Sequence, residues 1–251
     1  MNTNRNTAAS FLGTSDQIMS FRITLLLLSY LFVQGCAPSL VSMDRSELEQ
    51  LKYQPLIHVV HYPPPPLVAY TSTAVPIGSV FGPLVGGFVA HGIEQAEGEK
   101  LKRQCSLEDP SLNIRDAVIK SLSTVGIENF RLVSELLESD ELDALRSKFG
   151  DSLVMDFKTR GWQLFIVPLS QWTTRRYPVL YTVQARLIRL RDSKVIWLGY
   201  SSFREEDDAA STWDELVESG CALLKAKFGQ AADTCAQQLT DQLLGKTSVG
   251  K

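Results

Sequence analysis

Cysteine and histidine are the residues of this chain whose chemistry depends most directly on spacing. The four cysteines lie far apart and form no CxxC pair: Cys36, Cys105, Cys221 and Cys235. Zinc sites and thioredoxin-type redox motifs need closely spaced cysteines, so we expect neither. His58 and His61 are three residues apart in a segment with the pattern of a strand, and alternation places them on opposite faces. We therefore expect no metal site and no cofactor.

An apolar run over residues 23–33 follows Arg22 and ends just before Cys36. A helix needs roughly 20 apolar residues to cross a bilayer, so this shorter run is typical of a secretory signal peptide. The residues Val33-Gln-Gly-Cys36 resemble the lipobox of bacterial lipoproteins, in which the cysteine receives diacylglyceryl and is then exposed by cleavage. The resemblance implies that Cys36 is lipidated. The alternative is a buried apolar helix with an incidental cysteine.

This resemblance also sets the expected location. We predict a signal peptide over residues 1–35, with Met19 as the true start, and anchoring to the membrane through acyl chains on Cys36. Two or three acyl chains give stable anchoring, whereas one binds only marginally. Ala37 follows the cysteine, at the position where an Asp would imply retention in the inner membrane. We therefore expect a protein of the outer membrane that faces the periplasm.

The remaining three cysteines would lie in an oxidising compartment, where one disulfide and one buried thiol can form. Cys221 and Cys235 would be about 21 Å apart along an unbroken helix, too far for a bridge. Any disulfide should therefore join Cys105 to one of them, and we take Cys235 as its candidate partner. Three buried free thiols are the alternative that the sequence leaves open.

A glycine-rich segment, residues 75–93, carries no charge apart from the ambiguous His91. Its glycines Gly78, Gly82 and Gly86 recur every four residues, which on a helix would form one face that another backbone can approach closely. Pro83 would disturb such a helix at its centre. We favour a glycine-rich helix or loop packed on the domain over a membrane-touching or oligomerising contact.

The net charge of −3 and the pI of about 5.7 argue against nucleic-acid binding. The chain also lacks GxSxG, HExxH and P-loop motifs, so we expect no enzymatic activity. Local basic character is confined to a few arginines: Arg175, Arg176, Arg186, Arg189 and Arg191. Trp172, Arg175, Arg176 and Tyr177 form a candidate partner surface, although a solvated sheet face is the commoner explanation of such a pattern.

The pattern of apolar residues predicts an α/β (α+β) fold with a mixed, mostly antiparallel sheet. We expect strands at 56–62 and 130–134, one hairpin from strands 152–158 and 162–168, and another from 179–190 and 195–203. Helices are predicted at 109–125 and 140–149, and a long C-terminal helix is predicted from Thr212 to about residue 244.

These elements define the expected domain boundaries. Residues 36–54 should be a lipidated tether, 55–245 the periplasmic domain with its insertion at 75–93, and 246–251 a disordered tail.

The hairpin sequence LYTVQARLIRLRDSKVIWLGYSSF, followed by a helix containing AADTCAQQL, resembles a group of periplasmic lipoproteins. They include the TolB amino-terminal-like domains of penicillin-binding-protein activator lipoproteins and the curli-secretion lipoproteins. The motifs EGEKL and LEDP and the GW hairpin are similar to those of uncharacterised proteobacterial lipoproteins. The resemblance covers roughly residues 55–243 and implies no catalytic residues.

The resemblance and the anchor together imply a non-enzymatic accessory or assembly protein that binds another envelope protein. The alternative is an oligomeric export or pore-forming subunit that uses residues 75–93 as its membrane or subunit contact.

Overall fold

The computed structural model describes residues 41–54, 56–70, 82–167 and 175–246, with backbone alone for 82–93. The helices are α1 (Arg45–Leu51), α2 (Gly82–Cys105), α3 (Pro110–Thr124), α4 (Leu142–Phe149) and α5 (Trp213–Leu243). The strands are β1 (Ile57–His61), β2 (Val68–Ala69), β3 (Phe130–Leu132), β4 (Leu153–Leu164), β5 (Val179–Arg189) and β6 (Lys194–Arg204). None of the helices in these ranges combines the length and the apolar character that crossing a membrane requires.

The six strands form one mixed sheet in the order β3-β1-β4-β5-β6. β1 runs parallel to β3 and to β4, and the short β2 pairs in parallel with the far end of β4. The long pairings of β4 with β5 and of β5 with β6 are antiparallel. This confirms the predicted fold class, including the long C-terminal helix.

The predicted hairpin over residues 152–168 is wrong, because this segment forms a single strand, β4. β5 pairs along its whole length, from Leu153 opposite Arg189 to Leu164 opposite Val179. The register shifts between Thr159 and Gly161, where the sequence suggested a turn. An extra residue in one strand produces a bulge and a bend while the pairing continues on both sides.

Alternating residues of the sheet face two separate apolar clusters. The larger cluster includes Phe157, Trp162 and Tyr181 and is covered by α2, α3 and α5. The smaller one lies on the opposite face, where Val60 and Val154 pack against Leu145 of α4. The sheet is therefore buried on both faces along β1 and the first half of β4.

Residues 41–54, predicted as part of a tether, belong to the folded domain. Asp44 and Glu47 form a capping box that begins α1, because each carboxylate accepts a backbone N–H of the other residue. Met43 and Leu51 are buried in the larger cluster. Val41 forms an antiparallel bridge with Leu198 of β6. The sequence signal for these contacts was weak, since only a few apolar residues carry them.

The C-terminal helix α5 begins as predicted, with Thr212 and Glu215 in a capping box. It is interrupted from Glu218 to Cys221, where Ser219, Gly220 and Cys221 have positive φ. The break was expected at Gly220 or Gly229, and it occurs at Gly220. The predicted signal peptide and residues 247–251 of the predicted tail lie outside the described residues.

Candidate functional site

The break in α5 brings Cys221 to the C-terminal end of α2, where it forms a disulfide with Cys105. The Cα atoms of the two residues are 5.4 Å apart. The predicted partner, Cys235, is instead a buried free cysteine further along α5, and burial raises the pKa of its thiol. The prediction that any disulfide joins Cys105 to a cysteine of the last helix agrees with the structure, but the predicted partner, Cys235, is wrong.

Several predicted site residues lie outside the described residues: Cys36, Gly78 and Trp172. Gly82 and Gly86 fall in the first half of α2, four residues apart and therefore on one face. Pro83 lies in the first turn of this helix. Backbone N–H groups of the first turn have no acceptor within the helix, so a proline there removes no helical hydrogen bond. The expected disturbance by Pro83 at the centre of a helix is therefore wrong.

Arg176 and Tyr177 of the predicted partner surface bind the chain's own loop over residues 205–211. Arg176 Nη1 donates to the carbonyl oxygens of Asp208 at 3.1 Å and Ala210 at 2.7 Å. The Tyr177 side chain is buried, and its ring lies 5.4 Å from that of Trp213. Burial also raises the pKa of Tyr177. Tyr177 is thus a packing residue, whereas Arg175 is exposed.

The same loop and the break in α5 enclose a shallow surface groove, which we call the kink groove. Most of its walls are small or apolar: Ala209, Ala210, Ser211, Ser219, Ala222 and Leu223. Leu223 is 39% exposed. Arg176, Glu215 and Glu218 also line it. The kink groove therefore combines an accessible apolar floor with charged edges.

The charge at the kink groove is predominantly negative. Residues 205–224 contain seven Asp or Glu and neither Lys nor Arg. Two of these carboxylates are neutralised by ion pairs, Glu205 with Lys227 and Asp207 with Arg204. The remaining acidic residues include Glu218 at the groove itself. A positively charged ligand therefore matches this surface in sign.

A buried ion pair holds one wall of the kink groove in place. Lys227 of α5 pairs with Glu205 and donates to the carbonyl of Ala209 at 3.1 Å. The second carboxylate oxygen of Glu205 accepts the backbone N–H of Val179 at 3.1 Å. Because both charges are buried and hydrogen-bonded, the loop is fixed to α5 and to β5.

On the opposite sheet face, Arg186 is part of a buried network rather than of a basic surface. Its guanidinium contacts both carboxylate oxygens of Asp156, at 2.6 to 3.2 Å, and the carbonyl of Asp140. Tyr62 donates to the same Asp156 carboxylate at 2.8 Å. Burial and the Asp156 charge raise the pKa of Tyr62, so its phenol keeps its proton. These groups satisfy one another, and the arrangement is structural.

The two strand histidines lie on opposite sides of β1. His58 stacks on Phe149 of α4 with ring centroids 4.7 Å apart, whereas His61 faces the charges of α3. Burial lowers the pKa of both imidazoles, and in each case a nearby arginine adds to the effect. No group of acidic, cysteine and histidine side chains within the described ranges is arranged to hold a metal ion.

No protein-family model matches the chain, and no curated protein matches it. Among solved structures it is similar to the PelC dodecamer from Paraburkholderia phytofirmans, at 15% identity and a TM-score of 0.32, over 76% of this chain and 88% of that one. A minor lipoprotein from Acinetobacter baumannii is 12% identical, with a TM-score of 0.32, over 53% of this chain and 82% of that one. A lipoprotein from Neisseria meningitidis is 14% identical, with a TM-score of 0.25, over 70% and 99%. At TM-scores below 0.5, these likenesses establish neither a shared fold nor a shared function.

Proposed function

We propose that this chain is a lipid-anchored, non-enzymatic protein of the bacterial envelope that binds a basic segment of another envelope protein in the kink groove. The lipid would be attached to Cys36, and the protein would face the periplasm from the outer membrane. The observation that carries the binding role is the groove's combination of an exposed leucine with an acidic surround.

The construction of the groove supports this assignment. An apolar floor provides contact area, and acidic residues at the edge favour partners of positive charge and accelerate their association. The Glu205–Lys227 ion pair holds the loop on one side of the groove to α5. The Cys105–Cys221 disulfide ties the break in α5 to the end of α2. A surface that is already rigid loses little conformational entropy on binding, which favours affinity.

Crosslinking in cells tests the binding role. A photo-reactive amino acid at Leu223 should capture a discrete partner, whereas the same amino acid at Leu136, which is 53% exposed on the opposite side of the sheet, should not. Glu218→Lys should abolish most of the capture, because it reverses a charge at the groove. Glu128→Lys, at an exposed position elsewhere, is the matched control.

The captured partner must also bind the lipoprotein when both proteins are purified. The captured protein should bind the purified lipoprotein with an affinity that falls as salt is raised, since exposed charges are screened. Equal capture from Leu136, or capture that Glu218→Lys leaves unchanged, would contradict a role for the groove. Cys36→Ser tests the anchor: the variant should leave the membrane fraction on salt washing.

A second candidate is an oligomeric export or pore-forming subunit. It is favoured by the placement of Gly82 and Gly86 on one face of α2, which suits close approach of a second helix. Sizing and crosslinking of the delipidated protein separate the two candidates. A ring-sized species that Gly82→Leu or Gly86→Leu disperses would support the second, and a monomer would support the first.

A further inference from the structure

The break in α5 is a short left-handed segment. Ser219, Gly220 and Cys221 have φ of 51°, 67° and 63° and ψ of 40°, 30° and 31°, close to the ideal left-handed helical values. Glycine adopts this conformation freely, whereas a residue with a Cβ is disfavoured in it by roughly tenfold. An interaction from outside the segment must therefore hold Ser219 and Cys221 in the left-handed form.

The disulfide with Cys105 is that interaction, because it depends on the backbone conformation of Cys221. The peptide group between Cys221 and Ala222 belongs to the helix that follows, so it fixes the Cα of Cys221. Changing ψ of Cys221 from 31° to the helical value of about −42° turns its Cβ about the Cα–C bond and moves it by about 1.7 Å.

A displacement of this size is incompatible with the bond. Disulfides accept Cβ–Cβ distances over a range of only about 1 Å. Leu101 and Leu107, on either side of Cys105, are buried, which prevents the end of α2 from following the Cβ of Cys221. The closed disulfide and a right-handed helical Cys221 therefore exclude each other.

The sequence through the break suits a continuous helix. Trp213 and Val217 precede Leu224 by eleven and seven residues, so on an unbroken helix all three would lie on one face. All three are apolar and belong to the larger cluster or pack against it. Gly220 disfavours a helix by about fivefold relative to alanine. Without the disulfide, this cost is smaller than that of two left-handed residues with a Cβ.

The kink groove exists because α5 is broken. The walls formed by residues 209–211 precede the break, whereas Ala222 and Leu223 follow it. Thr212 caps the first turn of α5, so this end of the loop moves with that turn. In a continuous helix Thr212 would lie about 16 Å from Leu223 along the helix axis. The two walls would then be separated and the groove lost.

We propose that closing the Cys105–Cys221 disulfide builds the kink groove, and that in the dithiol form α5 is continuous and the groove is absent. This inference rests on the proposed binding role of the groove and adds its regulation by redox state. One S–S bond forms in this chain and one breaks in an oxidising disulfide compound, which takes up the two electrons and two protons of the thiols. Both cysteines are 1% exposed after closure, so the groove is built once, when the chain folds in an oxidising compartment.

Substitutions at Ser219, an exposed residue of the break, test the handedness in each redox form. With the disulfide closed in the full chain, Ser219→Gly should have a folding equilibrium constant about tenfold greater than that of Ser219→Ala, as measured by unfolding in urea. In a Cys105→Ser, Cys221→Ser background the order should reverse, with the alanine variant favoured about fivefold. The same order in both backgrounds, or a background that is unfolded without urea, would overturn the inference.

A distance along α5 provides a direct measurement. Spin labels carried by non-natural amino acids are placed at Asp214 and Gln237, which are both exposed. In the disulfide-free variant they should be about 35 Å apart, since a continuous helix rises about 1.5 Å per residue. In the oxidised parent the distance should be shorter, because the helix is broken between the labels. Equal distances in the two proteins would contradict the proposal.

Photo-crosslinking from Leu223 separates this inference from the binding role. The oxidised parent should capture the partner, and the disulfide-free variant should lose most of the capture. If the parent captures nothing although the distance changes as expected, only the binding role is refuted. If both proteins capture the partner equally, the redox regulation is refuted and the binding role stands.

Discussion

Replacing Gly98 by alanine should destabilise the protein, although alanine is the better helix former. Gly98 lies in α2, against the backbone just before β2. A Cβ atom at this position would lie 1.8 Å from the carbonyl oxygen of Leu67 and 2.5 Å from its carbonyl carbon. Ordinary contact begins at 3.4 Å, so the helix and the strand segment would have to separate by about 1.5 Å. Leu67 is fully buried, which leaves no simple path for it to move.

The expected cost follows from the contacts that such a separation disturbs. Glu99 accepts the backbone N–H of Leu67 at 3.2 Å, and losing this hydrogen bond costs about 1 kcal/mol. Overpacking against a buried backbone adds about 1–3 kcal/mol. The greater helix propensity of alanine returns about 1 kcal/mol. The free energy of unfolding should therefore fall by about 2 kcal/mol.

Gly229→Ala is the matched control, because it makes the same change in another helix. A Cβ at Gly229 meets no atom within 4 Å, so this variant should be more stable than the parent by up to about 1 kcal/mol. Equilibrium unfolding in urea, followed by tryptophan fluorescence, measures both variants. A Gly98→Ala protein at least as stable as the parent would refute the close approach of α2 to Leu67.

Three further predictions concern the buried charges and the cysteines. Arg186→Met should lower the free energy of unfolding, measured in urea, by about 3–5 kcal/mol, because it leaves the Asp156 carboxylate, whose side chain is 2% exposed, without its cation. Adding Asp156→Leu should recover much of this loss. A single variant as stable as the parent would contradict the role of the network. Burial lowers the pKa of His61 below its ordinary 6.5, so the unfolded state binds more protons as pH falls through that value. The free energy of unfolding should therefore fall on acidification from pH 7.5 to 5.5, and His61 should contribute at most about 1.4 kcal/mol per pH unit. His61→Gln should make the free energy of unfolding depend less steeply on pH. If the pH dependence is unchanged in this variant, it arises from other groups. Alkylation of the unreduced, denatured protein should modify one of Cys105, Cys221 and Cys235, and alkylation after reduction should modify all three. Three reactive thiols before reduction would exclude the disulfide. Removing the disulfide should lower the free energy of unfolding by about 2–5 kcal/mol.

Local patterns were sufficient to predict much of the fold. The hairpin of β5 and β6 was evident because apolar alternation and a short polar turn act over a few residues. The start of α3 was equally clear, since Asp109 caps the helix and Pro110 occupies its first turn. The secretory leader and the lipidation of Cys36 stay predictions, because residues 1–40 lie outside the described part of the chain.

The remaining features depended on residues that are distant in the chain. Whether Gly161 forms a turn or a bulge was decided by the continuous pairing of β4 with β5. The partner of Cys105 was decided by the break in α5, which moves Cys221 to the end of α2. The kink groove likewise requires the loop that Arg176 binds to meet this break.

The division between the two kinds of feature has one physical reason. Caps, turns and alternation are interactions between residues a few positions apart, so their free energies can be estimated from the local sequence. The tether predicted over residues 36–54 shows the limit of that approach: Met43 and Leu51 offer too few apolar residues to indicate packing by themselves. Only the assembled sheet and helices supply the surface that buries them.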